Sequence, residues 1–499
     1  MGLVNCDVPD DLSSTAMPFN ASYTPKGKDS VKYIFAANYG YIVKLYNTRT
    51  PSGKRKIRDF CFDQIQKCIL CGSVDLGYTV YECPRCGNFT IIPNRCHSRF
   101  CSSCAVKKAR ADAQDMANMA LDCKHRHVVL TIPEELRDMF LADRKMLSLL
   151  FIAGRNTIYD IANGAKYRKS QGKKNKTKAK KRREKKRKSP YDYKYDRNRG
   201  IPGFIITLHT FGRDLKWNPH IHILCSEKYY DTKSDKMKSL YFPFRKIRKT
   251  WQYQLLKVLS ESPSLSADPK FRKLRNRLYL RYPEGFYIHA PDKLPDIGED
   301  DMDDNDFDKL TDNIKGVVGY ITRYTSRPVI ADSRIDSYDE ESNTVTWHYT
   351  DHKDDETHTV TDDAETFIRR VIIHCPDKNF KMTRRYGYYS NAYSKCLDHI
   401  YEIYGKQIKR KLRTESQRKK STNKARERSR YRMSMILTYG KDPIKCTCGA
   451  IMQPTFSYNP YKEGKLNERQ RRIKRHHDII ENLQLRNGSD RRRRSIHDR

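Results

Sequence analysis

Hydrophobic and polar positions alternate along this chain with two periods, and each change of period outlines an element. From Gly203 to Thr210 the period is two. Phe204, Ile206 and Leu208 share one face of a predicted strand, and Ile205, Thr207 and His209 share the other. A loop containing Gly212, Asn218 and Pro219 leads to a second strand-like run, His220-Ile221-His222-Ile223-Leu224. Here His220 and His222 fall on one face, while Ile221 and Ile223 turn to the core. About a hundred residues later the spacing becomes three and four: Ile314, Val317, Val318 and Ile321 form one apolar stripe of a helix. Thr311-Asp312-Asn313 caps this helix, which runs to about Thr325, and Pro328 ends it. Tyr320 and Tyr324 fall together on one flank, one turn and about 6 Å apart along the axis. Tyr324 is expected nearer the apolar stripe and Tyr320 further around, so that their solvation differs.

Charge adds a partner. Of 499 residues, 99 are Lys or Arg and 60 Asp or Glu, a net +39 that would self-repel without a polyanion, and nucleic acid is the expected one. Lys166 to Lys188 holds 15 basic residues and one acid, which reads as a solvated, disordered insertion; Glu299 to Asp308 is the reverse, with seven acids in ten. The tail from Lys406 is basic again and includes Arg491 to Arg494. No run approaches the roughly 18 apolar residues of a membrane span, and the N-terminus lacks a basic-then-apolar export pattern. A cytoplasmic, nucleoid-associated protein is the expectation.

Seven of the 15 cysteines fall between Cys68 and Cys104. They form Cys68-x-x-Cys71, Cys83-x-x-Cys86, Cys96-His97 and Cys101-x-x-Cys104. In a charged chain without an export signal this clustering favours thiolate metal sites over disulfides. Each CxxC can present two thiolates from one tight turn, and zinc takes four in a tetrahedron. The eight candidates would serve two zinc ions, or four of them one, and the pairing is open. The segment looks too short and polar for a large apolar core, so metal would supply much of its folding energy. Cys446-x-Cys448 is a weaker pair, because two ligands cannot close a site and buried cysteine is an equal alternative.

The histidines and tyrosines carry candidate chemistry. Two imidazoles at alternate positions of a strand lie roughly 7 Å apart at the backbone, and their rings can converge on one ion that polarises a phosphate. His125-Arg126-His127 has the same spacing but a charged central residue, which removes the apolar backing. Tyr191/Tyr195 and Tyr389/Tyr393 repeat the spacing of Tyr320/Tyr324, but only the last pair combines a capped amphipathic helix with adjacent arginines, Arg323 and Arg327, able to bind phosphate.

The order of these features resembles the insertion-sequence-91 family, two-tyrosine rolling-circle transposases of the HUH superfamily. The resemblance runs from about residue 60 to 450. Cys83-Pro-Arg-Cys-Gly through Cys104 resembles the family's zinc-binding region, and His127-Val-Val-Leu-Thr-Ile-Pro133 its first nuclease strand. Asn218-Pro-His-Ile-His-Ile-Leu224 resembles its metal-binding strand. Gly319-Tyr-Ile-Thr-Arg-Tyr-Thr-Ser-Arg-Pro328 resembles its tyrosine helix, and Phe367-Ile-Arg-Arg with Arg384-Arg-Tyr-Gly-Tyr-Tyr389 its downstream block. Where Tyr78 and Phe100 stand the family often has histidine, which makes Cys68 a possible substitute ligand. The lysine-rich insertion and the acidic loop also depart from compact members.

The resemblance implies that Tyr320 and Tyr324 are nucleophiles and that His220 and His222 hold Mg²⁺ or Mn²⁺. His209 is the expected third ligand, with a carboxylate or water as alternatives. Structural zinc, one or two ions, is assigned to Cys68, Cys71, Cys83, Cys86, Cys96, His97, Cys101 and Cys104. Arg323, Arg327, Arg384 and Arg385 are expected to contact DNA. The implied reaction nicks single-stranded DNA at the element's ends and rejoins it through a 5′-phosphotyrosine, without ATP; no Gly-x4-Gly-Lys-Ser/Thr loop is present. The expected class is α+β: an N-terminal extension (1–60), a zinc-binding module (61–110), and a nuclease domain (111–335) with a central antiparallel sheet flanked by helices. The nuclease domain carries the basic insertion (166–198) and the acidic loop (291–311), and is followed by a C-terminal region (336–455) and a basic, partly helical or disordered tail (456–499). The rivals are a rolling-circle replication initiator or relaxase and, in another class, a non-catalytic zinc-dependent nucleic-acid-binding regulator.

Overall fold

A computed structural model describes residues 27–163, 200–290, 312–325, 328–350, 356–407, 442 and 444–459. The basic insertion, the acidic loop, Thr311, Arg327 and the tail beyond residue 459 lie outside the described residues. The chain opens with helices α1 (Val31–Ala37), α2 (Tyr39–Asn47) and α3 (Asp59–Ile69). Ser30 caps α1, its side chain accepting from the Tyr33 amide. On α3 the buried residues are Cys61, Gln64, Ile65 and Cys68, spaced as one helical face. Strands β1 (Tyr78–Glu82) and β2 (Phe89–Pro93) form a hairpin, and α4 (Ser102–Met119) follows.

The central sheet begins with β3 (His125–Thr131), followed by α5 (Glu134–Ala142) and the largely buried α6 (Leu147–Asn163). The long strands β4 (Gly200–Phe211) and β5 (Trp217–Asp231) make a hairpin, with β6 (Lys236–Ser239) on the outer end of β5. The expected loop is shorter than its Gly, Asn and Pro suggest, because Asn218 and Pro219 already belong to β5. Helices α7 (Phe244–Ser260) and α8 (Pro269–Arg281) lead to β7 (Ile288–His289), and the tyrosine helix is α9 (Asp312–Tyr324). The predicted alternation sorts this sheet. Phe204, Ile206, Leu208, Ile221 and Ile223 join Val128, Leu130, Leu150, Trp251 and Leu255 in one core on the α6 and α7 side. On the other face Ile205 and Leu224 pack against Ile314, Val317, Tyr320 and Ile321 of α9 and Ala113 and Met116 of α4.

The C-terminal part divides among three places. A meander of β8 (Ile335–Asp339), β9 (Thr344–Thr350) and β10 (Thr357–Asp363) precedes α10 (Ala364–Ile372). Trp347, Phe367 and Ile368 share a core with Val31, Ile34, Phe35, Ile65, Phe100 and several cysteines. This differs from two expectations. Residues 31–47 are part of a core rather than an extension from it. The cysteine-rich module also has apolar support, supplied by the helices before it and by Trp347, Phe367 and Ile368 from far along the chain, which no local reading of its composition contains. Strand β11 (Thr383–Gly387) joins the edge of the central sheet, giving the order β11-β4-β5-β3-β7 with all pairs antiparallel. After α11 (Ser394–Gln407), the final strand β12 (Gln453–Tyr458) returns to pair with β1, Tyr78 facing Tyr458. The expected α+β class therefore holds: a zinc-binding region, then a central antiparallel sheet flanked by helices. No helix among the described residues is long and apolar enough to cross a membrane.

Gly387 secures β11 to β4. Its φ is +57°, and a Cβ there would stand 1.5 Å from the Pro202 carbonyl oxygen. Gly387→Ala is expected to cost about 2 kcal/mol or more, through left-handed strain plus displacement of β11. Urea unfolding checks this, and an unchanged midpoint would show that β11 can shift freely.

Candidate active site and thiolate clusters

The β4–β5 hairpin decides which imidazoles meet. Its register sets His209 opposite His220 and Thr207 opposite His222. All point to the α9 side, so ligand nitrogens of His209, His220 and His222 lie within 4.8 Å of one another. Hydrogen bonds orient the rings. His220 Nδ1–H donates to the Asn218 carbonyl at 2.7 Å, which leaves Nε2 with its lone pair toward the cluster. His209 Nε2–H donates to the Tyr324 carbonyl at 2.7 Å, tying the end of α9 to the cluster and leaving Nδ1 as its lone-pair atom. The Nε2 atoms of His220 and His222 are 3.0 Å apart. Octahedral bonds of about 2.1 Å at right angles would place two donors about 3.0 Å apart, so this pair fits a shared divalent ion.

A fourth histidine belongs here. His127 of β3 lies with its Nε2 2.9 Å from His222 Nδ1. If His222 donates that proton, its Nε2 is free to bind a metal, the usual arrangement of an outer imidazole partner. Sequence reasoning set His125-Arg126-His127 aside because of the central charge. The structure neutralises it: Arg126 pairs with Glu227 at 2.8 Å. The signal available in sequence was the spacing itself. Burial pushes His127, His220 and His222 toward the neutral form. His127 falls to about 3, chiefly by burial and then by His289 and His220. His222 lies well below the ordinary range, and His220 is lowered, both mainly by burial.

The tyrosines complete the cluster. The Tyr324 ring stacks on His222 with centroids 4.5 Å apart and lies 4.8 Å from that of His127; the Tyr320 ring meets His127 edge-on at 5.1 Å. Their expected solvation is reversed. Tyr320 is fully buried within the α9–α4 core, whereas Tyr324 is partly exposed. The stripe alone does not reveal this, because α4 covers the Tyr320 side of α9. The Tyr320 hydroxyl is buried without a hydrogen-bond partner of normal geometry. Burial drives its pKa well above the phenol range, Tyr324 adds to this, and Thr207 opposes it. Tyr389 is different: its hydroxyl accepts from the Leu121 amide at 3.2 Å and donates to His125 Nε2 at 2.8 Å. That phenol is a satisfied structural group.

A cleft of about 670 Å³ opens beside α9 and β11, lined by Lys108, Arg155, Lys381, Arg384 and Arg385, with Ile321 and Thr325 at its wall. Arg384 and Arg385 thus reach the neighbourhood of the tyrosine helix, Arg384 lying 4.0 Å over the Phe151 ring. Sequence reasoning did not single out Lys108, Arg155 or Lys381. Arg327 and the side chain of Arg323 lie outside the described residues.

The cysteines gather in two groups. Cys71, Cys96, Cys101 and Cys104 form one, with Cys71–Cys104, Cys96–Cys104 and Cys71–Cys101 sulfurs each 3.6 Å apart. Tetrahedral zinc with bonds of about 2.3 Å sets sulfurs about 3.8 Å apart, so this group fits zinc. Hydrogen bonds from Cys104, Cys68, Cys71 and Cys96 hold the Cys101 thiol far below its ordinary pKa. Cys68, expected as a ligand, stands behind Cys101 and outside the four, because it belongs to the buried face of α3 while Cys71 lies beyond the helix end. His97 is exposed and outside both groups. Cys83 and Cys86 turn to Cys446 and Cys448 instead.

Comparisons with known proteins agree with this division. Residues 43–132 match a family described as "Transposase zinc-binding domain", and residues 203–396 one described as "Putative transposase". The chain is 25% identical over 400 residues to the "Transposase for insertion sequence element IS801" of Pseudomonas savastanoi pv. phaseolicola, covering 78% of this chain and 82% of that protein. It is 22% identical over 370 residues to the "Putative transposase y4qJ" of Sinorhizobium fredii, covering 71% and 79%. No solved structure matches the chain. A zinc-binding domain joined to a histidine- and tyrosine-bearing sheet domain with these matches defines a transposase, an enzyme that processes DNA. Within that class, the chain belongs to the insertion-sequence-91 family.

Two expectations follow from the geometry. His127→Ala should weaken Mn²⁺ binding about 10- to 100-fold, and His209→Ala at least as much; titration followed by the Mn²⁺ paramagnetic signal checks this. Unchanged affinity in His209→Ala would remove it from the site. The second concerns pH. Burial lowers His125 and His374 from 6.5 to about 4. The unfolded chain therefore takes up protons first, and stability present above pH 6.5 should be lost progressively as pH falls toward about 4. A urea midpoint flat from pH 7 to 4.5 would contradict it.

Proposed function

We propose that this transposase cleaves single-stranded DNA at the ends of its element with Tyr324 and Tyr320, and rejoins it in rolling-circle transposition. The carrying observation is the packing of both phenols of one helix against His127, His209 and His222 on one sheet face. A divalent ion held by His209, His220 and His222 would supply the positive charge that polarises the scissile phosphate. Three imidazoles suit Mn²⁺ better than Mg²⁺, which prefers oxygen.

Tyr324, the partly exposed phenol, is the first nucleophile. Its oxygen attacks phosphorus, the bond to the 3′ oxygen breaks, and the leaving oxygen takes a proton. The phenol proton goes to water. The products are a 5′-phosphotyrosine and a free 3′-hydroxyl. The phosphodiester energy is conserved in the adduct, so a second strand transfer by Tyr320 requires no ATP. Tyr320 becomes available only when α9 moves, and its unpaired hydroxyl favours that movement, since a buried unsatisfied group costs about 1–3 kcal/mol. DNA enters along the cleft of Lys108, Arg155, Lys381, Arg384 and Arg385. The zinc module and basic tail add grip, and Lys166 to Lys188 adds non-specific phosphate attraction. Such work places the protein in the cytoplasm at the nucleoid.

A labelled single-stranded oligonucleotide of the element end, incubated with Mn²⁺, should yield a covalent adduct with the wild type. Tyr324→Phe should reduce first-strand cleavage at least about 100-fold, a loss of roughly 3 kcal/mol in transition-state stabilisation. Tyr320→Phe should nick normally and fail in complete transposition, and the double variant should form no adduct. An adduct in the double variant would place the nucleophile elsewhere. Plasmid replication without movement of a marked element would favour a replication initiator or relaxase. The absence of any wild-type adduct across end sequences would favour a binding regulator.

A further inference from the structure

We infer that Cys83, Cys86, Cys446 and Cys448 form a second zinc site, a clasp that fastens the end of the described chain to the N-terminal module. This does not rest on the cleavage chemistry above. The two family matches end at residues 132 and 396, so neither includes Cys446 or Cys448.

Three observations carry the assignment. The first is sulfur geometry. Cys83 and Cys448 sulfurs are 3.5 Å apart, as are those of Cys86 and Cys446, and all four lie within 4.8 Å of one another. Those separations suit four thiolates around one zinc, whose edges are about 3.8 Å. The second is that both pairs sit in matched tight turns. Gly87 follows Cys86 with φ +69°, and Gly449 follows Cys448 with φ +84°, conformations that favour glycine. In the first turn the Gly87 amide donates to the Cys83 carbonyl at 3.0 Å; in the second the Gly449 amide donates to the Cys446 carbonyl at 2.9 Å.

The third is the poverty of other support. The core here consists of Cys83, Ile444, Cys446 and Met452, two of them ligands, with a few partly buried neighbours. Beyond it, β12 is held on β1 by its strand pairing and by Tyr78 set against Phe456 and Tyr458, modest support against the entropic cost of closing so long a loop of intervening chain. A soft divalent ion with four thiolate bonds provides that stabilisation. Zinc is the class of ion that such a closed, all-sulfur tetrahedron selects.

The test uses full-length protein purified under reducing conditions. Elemental analysis should find two zinc ions per chain, and cobalt substitution should give the absorption of two tetrahedral thiolate sites. In Cys446→Ser/Cys448→Ser the zinc content should fall to one, with half the cobalt–thiolate absorption. Cys448→His, which retains a zinc ligand, should keep two. Hydrogen exchange at the β12 amides should speed up about 10-fold or more in the serine variant and in wild type treated with chelator, while β4 and β5 keep their protection. One zinc in the wild type, two in the serine variant, or β12 protection indifferent to chelator would each overturn the assignment. The wild-type measurements decide the matter even where the serine variant fails to fold.

Discussion

The β4–β5 pairing is the constraint on which the site depends. Antiparallel register with a period of two sends Phe204, Ile206, Leu208, Ile221 and Ile223 to one core and His209, His220 and His222 to the opposite face. A slip of one residue would exchange the two sets, burying imidazoles among Leu150 and Trp251 and turning isoleucines toward α9. The apolar face therefore enforces the chemistry of the polar one. Hydrophobic burial supplies the energy, and the histidines inherit their position from it.

Covering a polar face with a helix has a cost, and the structure offsets it group by group. His209 gives its proton to the end of α9, His220 to its own strand's Asn218 carbonyl, and His222 meets His127. Burial favours the neutral form of His127, His220 and His222, which avoids the larger penalty of a buried charge. Tyr320 is less well served: its buried hydroxyl has no hydrogen bond of normal geometry.

The parts of the chain are bound together by contacts of very long range. Arg58 reaches Asp377 and the Cys375 carbonyl, Asp332 accepts from the Val31 amide, and Trp347 shares a core with the first zinc cluster. The zinc-binding region thus rests on the segment after the tyrosine helix.

The local sequence determined the strand faces, the helix stripe and the candidate ligands His209, His220 and His222, because side-chain period follows directly from backbone geometry. It also determined the basic character and the thiolate chemistry. Tertiary structure alone decided what depends on distant partners. His127 was illegible because the residue that neutralises Arg126 is Glu227, on another strand. The order of burial of Tyr320 and Tyr324 was illegible because α4, not the stripe of α9, chooses the covered side. The division of the cysteines was illegible because spacing within a motif shows which thiols can share an ion, while only the fold shows that Cys83 and Cys86 find their partners at Cys446 and Cys448 and that Cys68 is left outside.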